Sequence, residues 1–182
     1  MSSRAGRPVS SAPGSLASTV ALATLATLAL AAAVVLGACS SADATPPPID
    51  RPGTPDQPRE VNIVAKDYLF VPPEVRLIPG ETVLLHVVNG GLAVHEVVIG
   101  DGTVQDAWEI AEAQTEGAPP GPTPFVGVPP GVGGLRIVVG SGERRDVLYR
   151  VPDGGPLVVG CHIPGHYAKG MHVPVRFVAP GD

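Results

Sequence analysis

Short apolar stretches recur from Glu60 to the end of the chain, and turns rich in glycine and proline separate them. Some of these stretches alternate polar and apolar residues, as 74–78 does, and this period of two is typical of a strand with one buried face. Short strands at regular intervals predict an all-β sandwich. We predict about eight strands. They cover residues 61–65, 74–78, 82–88, 94–99, 135–139, 146–151, 157–161 and 172–178.

One stretch departs from this alternation. Residues 105–114 contain helix-forming residues with apolar side chains at helical intervals, and Gly102 and Gly117 flank them. Residues 118–134 are so dense in proline and glycine that they predict a surface loop. We therefore expect one short helix inside a long connection between the two halves of the sandwich.

The start of the chain has the composition of an export signal. Arg4 and Arg7 precede residues 20–36, which are almost entirely Ala, Leu, Val and Thr, and small residues follow. The uncharged stretch is just long enough to span a bilayer, so a cleaved signal and an uncleaved membrane anchor are both open. Either interpretation predicts that the folded part lies outside the cytoplasm.

The tetrapeptide that ends at Cys39, Leu-Gly-Ala-Cys, resembles the lipobox of bacterial lipoproteins. The resemblance implies that residues 1–38 are a signal peptide and that the acylated Cys39 becomes the mature N-terminus. The lipid would then anchor the protein to the outer face of the bacterial cell membrane.

The predicted tether covers residues 39–59. After Cys39 it is rich in Pro, Ser, Asp and Thr and has almost nothing apolar to bury. Proline-rich segments are extended and semi-rigid, so we expect a tether that holds the domain off the membrane. A disordered tail without a function would have the same composition. The folded domain is predicted to occupy residues 60–182.

The charge balance bears on possible partners. Without residues 1–38 the chain loses only Arg4 and Arg7, so 10 of its 12 basic and all 17 acidic side chains remain, a formal net charge of −7. Binding phosphates requires clustered Lys and Arg, and the basic residues here are scattered apart from Arg144 and Arg145. We therefore expect no nucleic-acid partner, whereas a positively charged protein partner would be attracted.

Three soft or borderline metal donors occur within residues 161–171. Cys161, His166 and Met171 have the spacing C-x4-H-x4-M. A thiolate, two imidazoles and a weak axial thioether form the donor set of electron-transfer copper centres, so a second imidazole is required. His95 is the candidate because it follows a turn and begins an apolar stretch, whereas its competitor His86 lies in the middle of a predicted strand.

Cys161 has two other interpretations. The chain has two cysteines, which allows a disulfide between Cys39 and Cys161, although lipidation of Cys39 would prevent it. The other interpretation is a buried structural thiol, since free cysteine behaves as a small hydrophobic residue. An unpaired thiol in an oxidising compartment is a liability unless something such as a metal holds it.

Several of these features are similar to the blue copper proteins, the cupredoxins. They are residues 67–70, the Pro79-Gly80 turn, Asn89, His95 and the Cys-to-Met loop, and the similarity covers residues 60–178. It implies a Greek-key β-sandwich that holds one copper ion near one end through His95, Cys161, His166 and Met171. It also implies a protein that cycles Cu(II)/Cu(I) and transforms no substrate.

The closing loop also resembles the last copper motif of laccases and other multicopper oxidases. In that motif two histidines flank the cysteine, whereas Gly160 precedes Cys161 here and the chain has no His-x-His pair. Its five histidines cannot supply a trinuclear cluster. His162 is therefore expected to lie behind the metal ligands or at the surface.

The expected function is that of a monomeric, lipid-anchored cupredoxin that passes single electrons between redox partners. The exposed edge of His166 is the expected electron port, surrounded by Pro164, Gly165, Tyr167 and Ala168. A copper chaperone or storage protein that delivers copper to an oxidase is the alternative. An accessory subunit of a larger copper enzyme is a third interpretation, and it would need ligands from another chain.

Overall fold

The computed structural model describes residues 46–116 and 127–182, and the predicted signal peptide and Cys39 lie outside these residues. The described chain forms two β-sheets with nine strands in all. The prediction of an all-β sandwich with one short helix is confirmed. Within the described residues, no helix combines the length and the apolar character that crossing a membrane requires.

The first sheet has four strands in the order β2-β1-β4-β7 and the second has five in the order β3-β9-β8-β5-β6. β1 runs parallel to β4, and β3 runs parallel to β9. Every other pair is antiparallel. In chain order the strands are β1 (Arg59–Lys66), β2 (Leu69–Val71), β3 (Val75–Leu77), β4 (Thr82–Asn89), β5 (His95–Gly100), β6 (Leu135–Val139), β7 (Arg144–Arg150), β8 (Leu157–Gly160) and β9 (His172–Phe177).

All eight predicted strands are present, and their ends differ from the predicted ones by at most two residues. The additional strand is β2, which pairs with the end of β1 after a tight turn at Asp67 and Tyr68. It is three residues long, and three residues are too few to show a period of two.

The core lies between the sheets, and alternation along the strands determines which side chains reach it. In β1 the buried positions are Val61, Ile63 and Ala65, while the residues between them face outward. In β5 all six residues are buried. This strand is covered on both faces, because the core lies on one side and the helix packs on the other.

The helix, α1 (Gly102–Ala113), begins three residues before the predicted start. The side chain of Asp101 caps it by accepting a hydrogen bond from the Val104 amide at 3.1 Å. Val104, Trp108 and Ala111 lie on one face of the helix and pack on Val98 of β5. Residues 118–126 of the predicted loop lie outside the described residues.

The second half of the predicted tether differs from the expectation, because it packs on the domain. The compact unit that contains the sandwich begins at Pro47. The Ile49 amide donates to the Asp182 carbonyl at 2.8 Å, and the Thr82 amide donates to the Gly53 carbonyl at 2.9 Å. A proline-rich composition predicts an extended chain, and an extended chain can lie along a surface as well as in solvent.

A buried ion pair fastens this segment to the sandwich. The Glu81 side chain has no exposed surface and accepts hydrogen bonds from the Arg59 guanidinium, the Ile78 amide at 2.8 Å and the Gly53 amide at 3.1 Å. Burial alone would raise the pKa of Glu81, but these hydrogen bonds outweigh burial and lower the pKa below its ordinary value. The carboxylate therefore contributes to stability in its ionised form.

Candidate metal centre

Three of the predicted ligands meet at one end of the sandwich. Donor atoms of His95, Cys161 and His166 all lie within 4.8 Å of one another, and all three residues are buried. His95 is the first residue of β5, and Cys161 directly follows β8. Because β5 and β8 are neighbouring antiparallel strands, the sheet brings the two side chains together.

Cys161 is held by its backbone and by its surroundings. Its amide donates to the Met171 carbonyl at 3.1 Å, and its sulfur accepts from the Glu96 amide at 3.5 Å. Burial raises the pKa of the Cys161 thiol to about 12. The metal-free site therefore carries a protonated thiol at neutral pH, and a cation is needed to hold the thiolate form.

His166 comes from the loop that follows. Its Nδ1 lies 3.4 Å from the Cys161 sulfur. Burial first, and then the neighbouring His95 and Lys169, lower the pKa of His166 to about 4. The imidazole is therefore neutral at pH 7, and a neutral imidazole is the form that binds metals.

The loop reverses tightly enough to return the chain to the site. Gly165 and Gly170 both have positive φ angles, of 81° and 93°. A 3₁₀ helix, Tyr167–Lys169, lies between them, and the Met171 amide then donates to the His166 carbonyl at 3.1 Å. Met171 is fully buried beside these groups, and its role as axial ligand stays a prediction.

The His95 ring is oriented by a carboxylate. Its Nε2 lies 3.0 Å from Oδ1 of Asp67, whereas its buried Nδ1 has no hydrogen-bond partner among the residues that the structure describes. A carboxylate only accepts hydrogen bonds, so Nε2 carries the proton and Nδ1 keeps its lone pair for a metal. The competitor His86 lies in the middle of β4, where its Nδ1 is 2.7 Å from Oδ1 of Asp146.

Sequence reasoning missed the role of the β1–β2 turn. The Asp67 carboxylate also accepts from the amides of Leu92 and Ala93, at 3.0 and 3.1 Å. These two backbone hydrogen bonds, and then the one with His95, lower the pKa of Asp67. The only signal in the sequence is an acidic residue in a turn next to a strand, and this signal does not reveal which histidine it contacts.

The other residue of this turn covers His166. The Tyr68 ring meets the His166 ring edge-on with centroids 5.1 Å apart, and the Lys169 ammonium lies 3.9 Å from the Tyr68 centroid. His166 is only 7% exposed, so its edge is less open than predicted. Tyr68 itself is 41% exposed and presents an aromatic surface next to His166.

His162 faces away from the cluster, toward α1. Its Nδ1 lies 2.7 Å from Oε2 of Glu109, and its Nε2 lies 2.7 Å from Oε1 of Gln105. The Tyr167 ring stacks on it at 4.8 Å. Side chains of α1 engage both ring nitrogens, and His162 is buried, so it does not lie at the surface, which was one of its two expected places.

A buried charge cluster braces β5 behind the site. Arg136 of β6 donates to Glu96 at 2.6 Å and to Glu112 of α1 at 2.5 Å, and its guanidinium lies 4.6 Å from the Trp108 ring centroid. Burial, which outweighs the attraction of Arg136, raises the pKa of both glutamates. Glu96 also accepts from the His162 amide at 2.9 Å, so the cluster connects α1 and β6 to the residue after Cys161.

Of the comparisons with known proteins, only the one with solved structures is informative, and it identifies the fold of this chain. No protein-family model matches the chain, and a search of curated proteins found no match. Among solved structures, an auracyanin from Roseiflexus castenholzii superposes with a TM-score of 0.54 at 21% identity, covering 66% of this chain and 97% of its own. Auracyanin B superposes with a TM-score of 0.51 at 24% identity, covering 74% of this chain and 100% of its own.

A third structure, auracyanin A from Chloroflexus aurantiacus, is described as a "blue" copper protein. Its TM-score is 0.52 at 18% identity, and the match covers 66% of this chain and 99% of that one. The chain has the cupredoxin fold. In this fold the cluster of His95, Cys161 and His166 occupies one end of the sandwich, where the ends of β5 and β8 meet.

The residues of this cupredoxin site fit one copper ion. They offer one thiol, which binds a metal as the thiolate, and two imidazoles, and these are the strong donors of trigonal copper centres. The His95 Nδ1 is a buried acceptor that no described protein group satisfies, and buried polar atoms are normally paired. A bound metal would satisfy this nitrogen and would replace the proton on Cys161.

Proposed function

We propose that this protein is a mononuclear type 1 copper protein that carries single electrons between redox partners. The observation that carries the proposal is the convergence of His95, Cys161 and His166 at one end of a cupredoxin sandwich. The bound copper would supply a one-electron change between Cu(II) and Cu(I), held by these three residues and by Met171 as the weak axial donor.

The surroundings of the ligands suit this task because they are rigid. His95 and Cys161 are held by the neighbouring strands β5 and β8. The charge cluster of Arg136, Glu96 and Glu112 braces β5 on the side away from the core. Ligands whose rotamers are locked by packing and hydrogen bonds keep nearly the same positions in both oxidation states. A small change in geometry keeps the reorganisation cost of electron transfer low.

The proposed electron port is the surface above His166. Tyr68 packs on the His166 ring and is 41% exposed, and Leu92, on the neighbouring loop, is 88% exposed. Lys169 adds one positive charge to this apolar surface. A small apolar patch with few charges suits the brief docking of redox partners. No substrate is transformed in this proposal.

We also propose that the protein is a monomer exported from the cytoplasm and anchored by a lipid on Cys39 at the outer face of the membrane. The support is the basic start, the apolar run and the lipobox-like tetrapeptide. Mass spectrometry of the mature N-terminus, together with membrane fractionation, tests this part. We expect the mature chain to begin at Cys39 with an acyl group on that residue, and a membrane-bound protein whose Cys39 carries no lipid would overturn the anchor.

Voltammetry of the copper-loaded full chain, purified in detergent, tests electron transfer. We expect one reversible one-electron wave whose shape persists over repeated cycles, since an electron carrier keeps its metal in both oxidation states. Loss of the wave after the first reduction, with copper released to a Cu(I) chelator, would contradict the proposal.

A further inference from the structure

The Asp67 carboxylate connects the β1–β2 turn to the histidine that opens β5. Its Oδ1 lies 3.0 Å from the Nε2 of His95, and the same oxygen accepts from the amides of Leu92 and Ala93. One side chain therefore fixes both the imidazole and the backbone that leads into it. His95 itself has no exposed surface, so the histidine end of this contact is buried.

The two nitrogens of His95 have opposite surroundings. Nε2 faces a carboxylate, whereas the buried Nδ1 has no hydrogen-bond partner within the described part of the chain. The carboxylate selects the tautomer with the proton on Nε2, because it has no hydrogen to donate. Nδ1 then keeps its lone pair before any metal arrives, in a histidine that belongs to the cluster with Cys161 and His166.

The chain also leaves room for this pair. A Cβ on Gly91 would overlap Oδ1 of Asp67 and would lie 2.9 Å from the Nε2 of His95. Any side chain at position 91 would therefore push the carboxylate and the imidazole apart. The Gly91 amide is itself fixed by Oδ1 of Asn89 at 2.8 Å, so the backbone has little freedom to retreat.

We propose that Asp67 is a positioning residue that orients His95 for metal binding and favours Cu(II) over Cu(I) through its negative charge. The copper part of this proposal rests on the proposed function, whereas the orientation of His95 does not. A carboxylate that accepts from a metal-bound imidazole makes the imidazole a stronger donor and fixes its orientation. A stronger, more negative donor stabilises the more highly charged ion.

Two substitutions separate charge from geometry. Asp67→Asn removes the charge, and its remaining oxygen can still accept from His95, Leu92 and Ala93. Asp67→Ala removes both the charge and the hydrogen bonds. Asp153→Asn is the matched control, since it removes one carboxylate beside Gly80, at the opposite end of β4 from the site.

The first measurement needs no copper. Imidazole nitrogen-15 chemical shifts of the metal-free full chain report which nitrogen of His95 carries the proton. We expect Nε2–H in the wild type, in Asp67→Asn and in Asp153→Asn, and a mixture of tautomers in Asp67→Ala. Gly91→Ala should also give a mixture. A wild-type His95 protonated on Nδ1 would overturn the positioning role.

The second measurement is the affinity of each protein for Cu(II) and Cu(I), with the midpoint potential. Loss of a hydrogen-bonding partner of a ligand typically weakens metal binding by about 10- to 100-fold. We expect Asp67→Asn to weaken Cu(II) binding about tenfold more than Cu(I) binding, which corresponds to a rise of about 59 mV in the potential. Asp153→Asn should leave the potential unchanged.

The outcomes separate the two proposals. If the wild type gives a one-electron wave and Asp67→Asn has the same potential as Asp153→Asn, the charge effect of Asp67 is wrong while the proposed function stands. If the wild type binds no copper, the proposed function and the charge effect both fail. The nitrogen-15 tautomer result then decides the positioning role alone.

Discussion

The sulfur of Cys161 and the Nδ1 of His166 lie 3.4 Å apart, and neither group is charged at neutral pH in the metal-free protein. Burial raises the pKa of the thiol to about 12 and lowers the pKa of the imidazole to about 4. The site is therefore a neutral, closely packed pair, and metal binding must remove one proton from it.

Copper loading should release close to one proton per ion between pH 6 and pH 8. The thiol is protonated throughout this range because its pKa is about 12, and His166 is already neutral because its pKa is about 4. The apparent affinity should consequently rise about tenfold for each pH unit. Calorimetry in buffers of different ionisation enthalpy measures the number of protons. Binding without proton release would show that the thiolate exists before the metal.

Met171→Leu should change the redox properties without abolishing copper binding. Leucine has nearly the volume of methionine, so the fully buried position should lose less than about 1.5 kcal/mol of stability. The axial bond is the weak one, and its loss tunes the potential while the three strong donors hold the ion. Voltammetry and copper titration measure both effects. An unchanged potential would remove Met171 from the ligand set.

Glu81→Gln should destabilise the protein at neutral pH by about 1–3 kcal/mol, because buried hydrogen bonds to a charged group are lost. The pKa of Glu81 is lowered below its ordinary value of 4.5. The contribution of its carboxylate is therefore fully present above pH 4.5 and decreases as the pH falls toward the lowered pKa. Urea unfolding of both proteins at several pH values tests this. A difference that does not decrease in acid would contradict the role of the ionised carboxylate.

Gly160→Ala should destabilise the region behind Cys161 by about 1–3 kcal/mol through overpacking. The new Cβ would overlap Oε1 of Gln105 and would lie 2.9 Å from the Tyr167 ring and 3.1 Å from the Nε2 of His162. Gly154→Ala is the control, because a Cβ at position 154 meets nothing within 4 Å. The melting temperature of Gly160→Ala should be clearly lower than that of Gly154→Ala. Equal melting temperatures would show that Gln105, Tyr167 and His162 are not closely packed around position 160.

Much of the fold was predictable because strands with one buried face leave a period of two in the sequence. Strand β2 was not, since Leu69–Val71 is too short for a period and exists through its pairing with β1. The docking of Ile49 on the C-terminus was also not predictable. Composition indicates that a segment is extended, and tertiary contacts decide where it lies.

The site residues differ in the same way, because some can be recognised from their sequence neighbours and others depend on contacts between distant parts of the chain. Cys161, His166 and Met171 were candidates from the sequence because one short loop contains all three and has the donor types and spacing of a copper site, and the structure brings the first two together with His95. The choice of His95 over His86 rested on its place at the start of a strand, and the structure brings His95 into the cluster with Cys161 and His166. The contact of Asp67 with His95 joins residues 28 positions apart, and it depends on side-chain directions in a turn that pattern alone does not give.

The visible and electron-paramagnetic-resonance spectra of the full chain, loaded with Cu(II) and purified in detergent, test the central claim most directly. We expect intense thiolate-to-copper absorption that Cys161→Ser abolishes, that His95→Ala strongly alters, and that His86→Ala leaves unchanged. A copper complex without this absorption, or a Cys161→Ser protein that keeps it, would contradict a type 1 copper centre at this site.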